Sequence, residues 1–226
     1  MKKPEDVAVI VQARLSSQRC TRKMIRPFGD TTLMDLCLTK LVDSSINNKN
    51  IYASVYEEEL KTLCLKYPVN IFHRSENSAH SEGTPMTEMY EWWDKIPFKY
   101  AVLINACAPF MSSKTIENFY NNYCQSESDG MFGIIEKKDY FWDNNNILLT
   151  PLKESVMNTK TADVTKQAAH CLYAGRLDLI GKDIWMGNFN KHNEIELYPM
   201  PENETFDIDH EWQFKLAERI YKGTCL

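Results

Sequence analysis

The chain is predicted to be an α/β protein built on a doubly wound, mostly parallel sheet, and three observations carry that expectation. An uninterrupted apolar run at 7–11, the pattern of a buried strand, is followed by further strand-like stretches at 51–55, 69–72 and 100–104. Stretches of helical period lie between them, three helices separating four strands within the first 105 residues. The 226 residues suffice for one large domain, 1–226, with a substantial core.

Residues 7–11 pass straight into a loop carrying Arg14, Arg19, Arg22 and Lys23, with Ser16 and Ser17 among them. Ligands of open α/β sheets sit beyond the carboxyl ends of the strands, so this loop is placed to hold an anion, a polyphosphate first of all. A solvated surface loop is the other reading of such a charge run. Phe28-Gly29-Asp30 then makes a turn, and Thr31 or Thr32 caps a helix with Leu33, Leu36, Leu41 and Val42 at helical spacing. After a polar link at 44–50 come the second strand, 51–55, a helix over 57–67 with Leu60, Leu63 and Leu65, and the third strand, 69–72.

Thr84 before Pro85 reads as the start of a helix with Met86, Met89, Tyr90 and Trp93 on one face. Residues 100–104 form the fourth strand and 105–111 the loop beyond it. Ser113 is the expected cap of a helix with Ile116, Phe119, Tyr120 and Tyr123, and 131–135 is the fifth strand. The stretch 139–166 breaks the rhythm with a turn at Asn144-Asn145-Asn146 and short β-like pieces. It reads as an inserted arm that packs against a second subunit or, equally, as a surface hairpin. Residues 171–174 return to the sheet, 177–185 reads as helix, and 195–198 alternates like a strand with one solvated face. The last helix, 209–222, spaces Trp212, Leu216 and Ile220 four apart.

A net charge of -5 argues against a broad grip on nucleic acid, so any basic site is local. The seven cysteines stand singly, with no C-x-x-C pair, as expected of reduced thiols rather than a disulfide framework or a zinc site. Cys107 alone has a suggestive position, with buried filler as its other reading. The first apolar run is too short for a membrane span and too soon interrupted for a signal peptide, which makes the cytoplasm the expected location.

Phe206-Asp207-Ile208-Asp209 precedes the last helix. An extended backbone points alternate residues the same way, so Asp207 and Asp209 share a face while Ile208 anchors in the core. Two hard carboxylates aimed at one point suit a magnesium ion on a nucleotide; helix capping would account for Asp209 alone. Arg14, Arg19 and Lys23 would then draw charge from the β- and γ-phosphates of a triphosphate, a reaction needing positioning and charge compensation but no covalent nucleophile.

These residues resemble the cytidylyltransferases that make CMP-linked acidic sugars, the CMP-Kdo and CMP-sialic acid synthetases and a spore-coat polysaccharide group. The opening motif matches Gln12-Ala13-Arg14-Leu15-Ser16-Ser17-Gln18-Arg19, with Lys23 at the lysine position nine residues after Arg14. Phe72-His73-Arg74, Ile104-Asn105-Ala106-Cys107-Ala108-Pro109-Phe110, His170-Cys171-Leu172-Tyr173 and Asp207-Ile208-Asp209 follow in the family's order, so the resemblance spans nearly the whole chain. It implies a Rossmann-like sheet of the nucleotide-diphospho-sugar transferase type, with 139–166 as a dimerisation arm. It implies nucleotide binding by Ala13, Arg14, Ser17, Arg19, Lys23, Arg74 and Asn105, with Arg14 and Lys23 catalytic. Asn105 and His170 would hold the substrate, and Asp207 and Asp209 the Mg2+. His170 is equally readable as a structural residue at a strand start.

The chain departs from the pattern at four places. Leu15 and Ser16 stand where relatives keep glycine, Asn105 replaces the usual glutamine, Met111 stands where sialic-type enzymes often carry arginine, and the loop 78–83 lacks an aspartate some relatives have. The expected reaction is transfer of CMP from CTP to an acidic sugar with release of pyrophosphate by a homodimer. Open beside it are a phosphonate or sugar-phosphate acceptor, another triphosphate, and a non-catalytic nucleotide-binding homologue.

Overall fold

Val7, Val9 and Val11 face one side of the first strand and Ala8 and Ile10 the other, and all five are buried in two separate apolar clusters. Such a run requires a strand paired on both edges and covered on both faces. In the computed structural model, which describes residues 1–80, 85–153, 155–191 and 194–224, it is β1 (Val7–Gln12) of a seven-stranded sheet. β2 (Ile51–Val55) and β3 (Asn70–His73) lie in parallel on one side of it, and β4 (Tyr100–Ile104) lies in parallel on the other. Strand order therefore reverses between β1 and β4, which opens a crevice at their carboxyl ends.

Beyond β4 the sheet turns mixed. β6 (Val164–Arg176) runs antiparallel between β4 and β5 (Gly130–Lys138), and β7 (Ile195–Pro199) closes the edge in parallel with β5. Both β5 and β6 are longer than their apolar cores at 131–135 and 171–174. Their outer halves alternate in exposure, so no continuous apolar run marks them. The last residues of the expected arm, 164–166, accordingly belong to β6. The chain leaves β5 at 139, and among the described residues before β6 an isolated bridge joins Trp142 to Leu148.

One face of the sheet is covered by α1 (Leu33–Val42), α2 (Glu58–Cys64), then α5 (Ser113–Gln125) and α6 (Glu211–Tyr221). Thr32 and Ser112 cap α1 and α5, accepting from Asp35 N–H at 3.0 Å and Thr115 N–H at 3.1 Å; Ser113, the expected cap, is the first helical residue. On the other face lie α3 (Glu76–His80), the single turn α4 (Met86–Met89) and a 3-10 helix over Leu177–Lys182.

Three helical expectations are corrected. The expected cap Thr84 lies outside the described residues, and the helix after it ends at Met89. The chain turns at Tyr90 so that Trp92 enters the core and donates its Nε1–H to Gln12 Oε1 at 2.8 Å. In α2 it is Cys64, not Leu65, that is buried; Leu65 is 74% exposed. In α6 the stripe of Trp212, Leu216 and Ile220 loses to the buried Phe214 and Ala217, with Tyr221 at the margin. Phe28 packs against the rings of Phe214 at 5.5 Å and Tyr221 at 5.1 Å, which rolls Trp212 outward.

Gly130, at the start of β5, is crossed so closely that a Cβ there would lie 1.6 Å from the Met186 carbonyl oxygen. Gly130→Ala is expected to destabilise by about 1–3 kcal/mol or more, as overpacking does, read as a lower urea midpoint at unchanged slope.

Candidate active site

The sheet ends at Gln12 and Ala13, where the backbone is still tied to its neighbours. Ala13 N–H donates to the Ser54 carbonyl at 3.1 Å, and its own carbonyl accepts from Arg74 Nη1 at 3.5 Å. From there the cations diverge. Arg14 is exposed and its Nη1 donates to the Ala79 carbonyl at 3.2 Å. Ser17 is half-buried. Arg19 reaches across to Asp209, with Nη2 2.8 Å from Oδ1. Lys23 is buried, donates to the Ile208 carbonyl, and holds Nζ 3.8 Å from the same Asp209 oxygen. Arg22, in the left-handed region at φ 55°, turns instead to Glu59. Arg26 grips Glu211 with both Nη groups, at 2.8 and 3.0 Å.

Asn105 binds the opposite wall. Its backbone N–H donates to the Cys171 carbonyl at 2.9 Å, and its Nδ2 donates to the His170 carbonyl at 2.9 Å and to Asp207 Oδ1 at 3.2 Å. Its Oδ1 accepts from Cys107 N–H at 2.9 Å, and the Cys107 carbonyl accepts from Ile208 N–H at 3.0 Å. One side chain thus joins the end of β4, the kink of β6 and the Asp-x-Asp segment. That kink falls where the register of β5 and β6 shifts between Phe132 and Ile134, and His170 takes φ 53° within it. The exposed His170 ring lies 3.4 Å, Nδ1 to hydroxyl, from Tyr173 and 6.1 Å from the Phe132 ring.

Ile208 is fully buried, as the alternation requires, and Asp207 and Asp209 flank it. Burial pushes the Asp207 carboxyl above its ordinary range, and Asp209 pushes it further; Lys23, Asn105 and His170 act in opposition. Two hard carboxylates that repel each other across a half-buried cleft are suited to a divalent cation. Among the described residues no three His, Cys, Asp or Glu side chains converge as a metal cage, so ligand oxygens or water must complete its shell. Burial lifts the Cys107 thiol to about 11, which leaves it protonated and inert as a nucleophile.

Arg74 lies under the loop, 5% exposed, and donates to Ser78 Oγ at 3.1 Å and the Ser78 carbonyl at 2.5 Å. Burial, and then repulsion from Arg14, lower it to about 10. Its place is that of a clamp on Ala13. Gln12 is likewise committed, with Nε2 donating to the Met89 carbonyl at 3.3 Å. A cavity of about 190 Å³ opens beside Asn105, walled by Gln12, Met89, Tyr90, Leu103 and Tyr173. A larger hollow of about 640 Å³ lies at the β7 edge among Ser128, Lys166 and Glu196, and none of the residues named above lines it.

Fold and site together define a doubly wound α/β protein whose cationic loop and carboxylate pair meet at the switch point of the sheet. The chain belongs to the cytidylyltransferase family, whose sequence model matches residues 8–224. The post-translational flagellin modification protein B of Campylobacter coli is 23% identical over 230 residues, which are 96% of this chain and 95% of that protein. The 3-deoxy-manno-octulosonate cytidylyltransferase of Rickettsia bellii (strain OSU 85-389) is 28% identical over 131 residues, 56% of this chain and 51% of that enzyme. Among solved structures, CMP:2-keto-3-deoxy-manno-octonic acid synthetase complexed with CTP superposes at TM-score 0.68 with 8% identity, over 97% of this chain and 99% of that one. A cytidylyltransferase from Leptospira borgpetersenii superposes at 0.63 with 16% identity, over 98% and 88%. At these identities the solved structures share the fold.

Because its folded value is raised, Asp207 costs stability at neutral pH and nothing below the ordinary aspartate range near 4. Asp207→Asn is therefore expected to raise the melting temperature of the metal-free protein at neutral pH. The gain should shrink as the pH falls toward about 4, as measured by thermal melts across that range.

Proposed function

We propose that the protein is a magnesium-dependent enzyme that transfers CMP from CTP to an acidic sugar of the 2-keto-3-deoxy type, releasing pyrophosphate, in the synthesis of a surface polysaccharide or glycoconjugate. The observation that carries this reading is the contact of Arg19 and Lys23 with Asp209, which brings the front and back of the chain together at one crevice. The family match supports the nucleotide, and the relatives named for 3-deoxy-manno-octulosonate support the acceptor class.

In this mechanism the acceptor hydroxyl attacks the α-phosphorus in line and pyrophosphate leaves. Arg19 and Lys23, which already meet at Asp209, take up the charge that grows on the leaving group, and Arg14, which rests on the Ala79 carbonyl, would turn to join them. Ala13 and Ser17 line the nucleotide's approach, with Arg74 holding the Ala13 carbonyl. Asn105 and His170 border the acceptor side. Asp207 and Asp209 would hold magnesium, which supplies Lewis-acid compensation of phosphate charge when bound. The reaction is assigned to the cytoplasm, and no helix among the described residues is long and apolar enough to cross a membrane.

The test is pyrophosphate release from CTP against a panel of acidic sugars, phosphonates and sugar phosphates. Lys23→Ala and Arg19→Ala are each expected to lower kcat on the order of 10²-fold, as loss of a charge-stabilising donor does, and Asp207→Ala to abolish the metal-dependent turnover. Turnover with every acceptor class except acidic sugars would overturn the acceptor assignment.

The insertion is assigned to the interface of a homodimer. Ile147, Leu149 and Val156 are each more than 60% exposed there, although a lone surface seldom presents so much apolar area in one segment. Leu149→Glu is expected to shift the protein from dimer to monomer in sedimentation; a monomeric wild type would sink the assignment.

A further inference from the structure

Phosphate loops built on glycine turn backbone amides toward the anion. Here the corresponding amide is already taken. Leu15 N–H donates to Glu57 Oε1 at 2.7 Å, and the Leu15 side chain is buried in the core. Glu57 comes from the neighbouring strand's end, where it occupies the N-cap position of α2 with φ -71° and ψ 138°. That position favours a side chain folded back onto its own helix, yet Glu57 makes no such bond and leaves the helix for the loop. Its second oxygen is buried and, among the described residues, lacks a hydrogen-bond partner. Leaving a buried carboxylate oxygen unpaired is costly, and such local violations concentrate where function requires them. Two residues on, Glu59 draws Arg22 in the same direction. The start of α2 thus restrains the loop from one side while Asp209 and Glu211 hold it from the other.

We propose that Glu57 is a positioning residue for the nucleotide. By taking the Leu15 amide it withdraws the loop's backbone from the phosphates and fixes the loop in the shape that aims Arg19 and Lys23 at the crevice, so that side-chain cations, not amides, hold the triphosphate. This rests on the reading of CTP as the substrate. The Arg74 guanidinium, within electrostatic reach of Glu57, supplies the balancing positive charge under the loop.

The experiment compares wild type, Glu57→Ala and Glu57→Gln by calorimetric titration with CTP and by steady-state kinetics. Glu57→Ala is expected to raise Kd and KM for CTP about tenfold or more, the worth of a hydrogen bond to a charged acceptor. Its kcat at saturating CTP should fall as well, because the cations whose aim depends on the loop act on charge that grows in the transition state. Glu57→Gln keeps an acceptor oxygen for Leu15 N–H and should restore binding to within about threefold of wild type. If Glu57→Ala does not fold, Glu57→Asp, one methylene too short to reach, takes its place with the same expectation. Unchanged CTP affinity in the Ala or Asp variant overturns the inference, as does a Gln variant as impaired as Ala, or a loss confined to kcat. Failure of the wild type to bind CTP would overturn the nucleotide reading itself, and this inference with it.

Discussion

Asp209 holds the architecture of the site together because it is asked for by both ends of the chain. Its Oδ1 accepts from Arg19 at 2.8 Å and lies 3.8 Å from the ammonium of Lys23. Without those cations, a second carboxylate beside the half-buried Asp207 would meet repulsion in a poorly solvated place. With them, a loop that follows the first strand becomes the counter-charge for a segment that precedes the last helix. Arg26 and Glu211 repeat the pairing two residues past Asp209, and the Arg26 guanidinium sits 4.0 Å over the Phe214 ring, so the same contact seats α6.

The sheet supplies the geometry that this charge balance needs. Reversal of strand order at β1 and β4 leaves their carboxyl ends uncovered by a crossover. Lys23 and Asn105 approach the gap from its two sides, and Asp207 and Asp209 span it. Neither wall depends on a flexible tip. Ala13 is held by Ser54 and Arg74, and Asn105 spends its amide on three different segments.

Much of this was legible in residue order, and what was not has physical reasons. Val7, Val9 and Val11 on one face with Ala8 and Ile10 on the other leave no option but a doubly covered strand. The alternation about Ile208 likewise forces its two neighbours onto one side. In α6 two stripes, Trp212-Leu216-Ile220 and Phe214-Ala217-Tyr221, both fit the helical period, and Phe28, distant in sequence, decides between them. The span of β6 was hidden because its outer half is half-solvated and alternates. Glu57 carried no signal at all: one acid in a run of three at a helix start looks like dipole compensation, and its true partner is an amide without side-chain identity.

The continuity of β6 has a mechanical consequence. Six residues of extended chain, roughly 20 Å, run from the base of the insertion at Val164 to the kink at His170. It pairs with β5 residue for residue from Val164 to Ala168, and the register breaks only at the kink beyond. It behaves as a splint: any partner that clasps the insertion also steadies the strand that ends at the carbonyl to which Asn105 is moored.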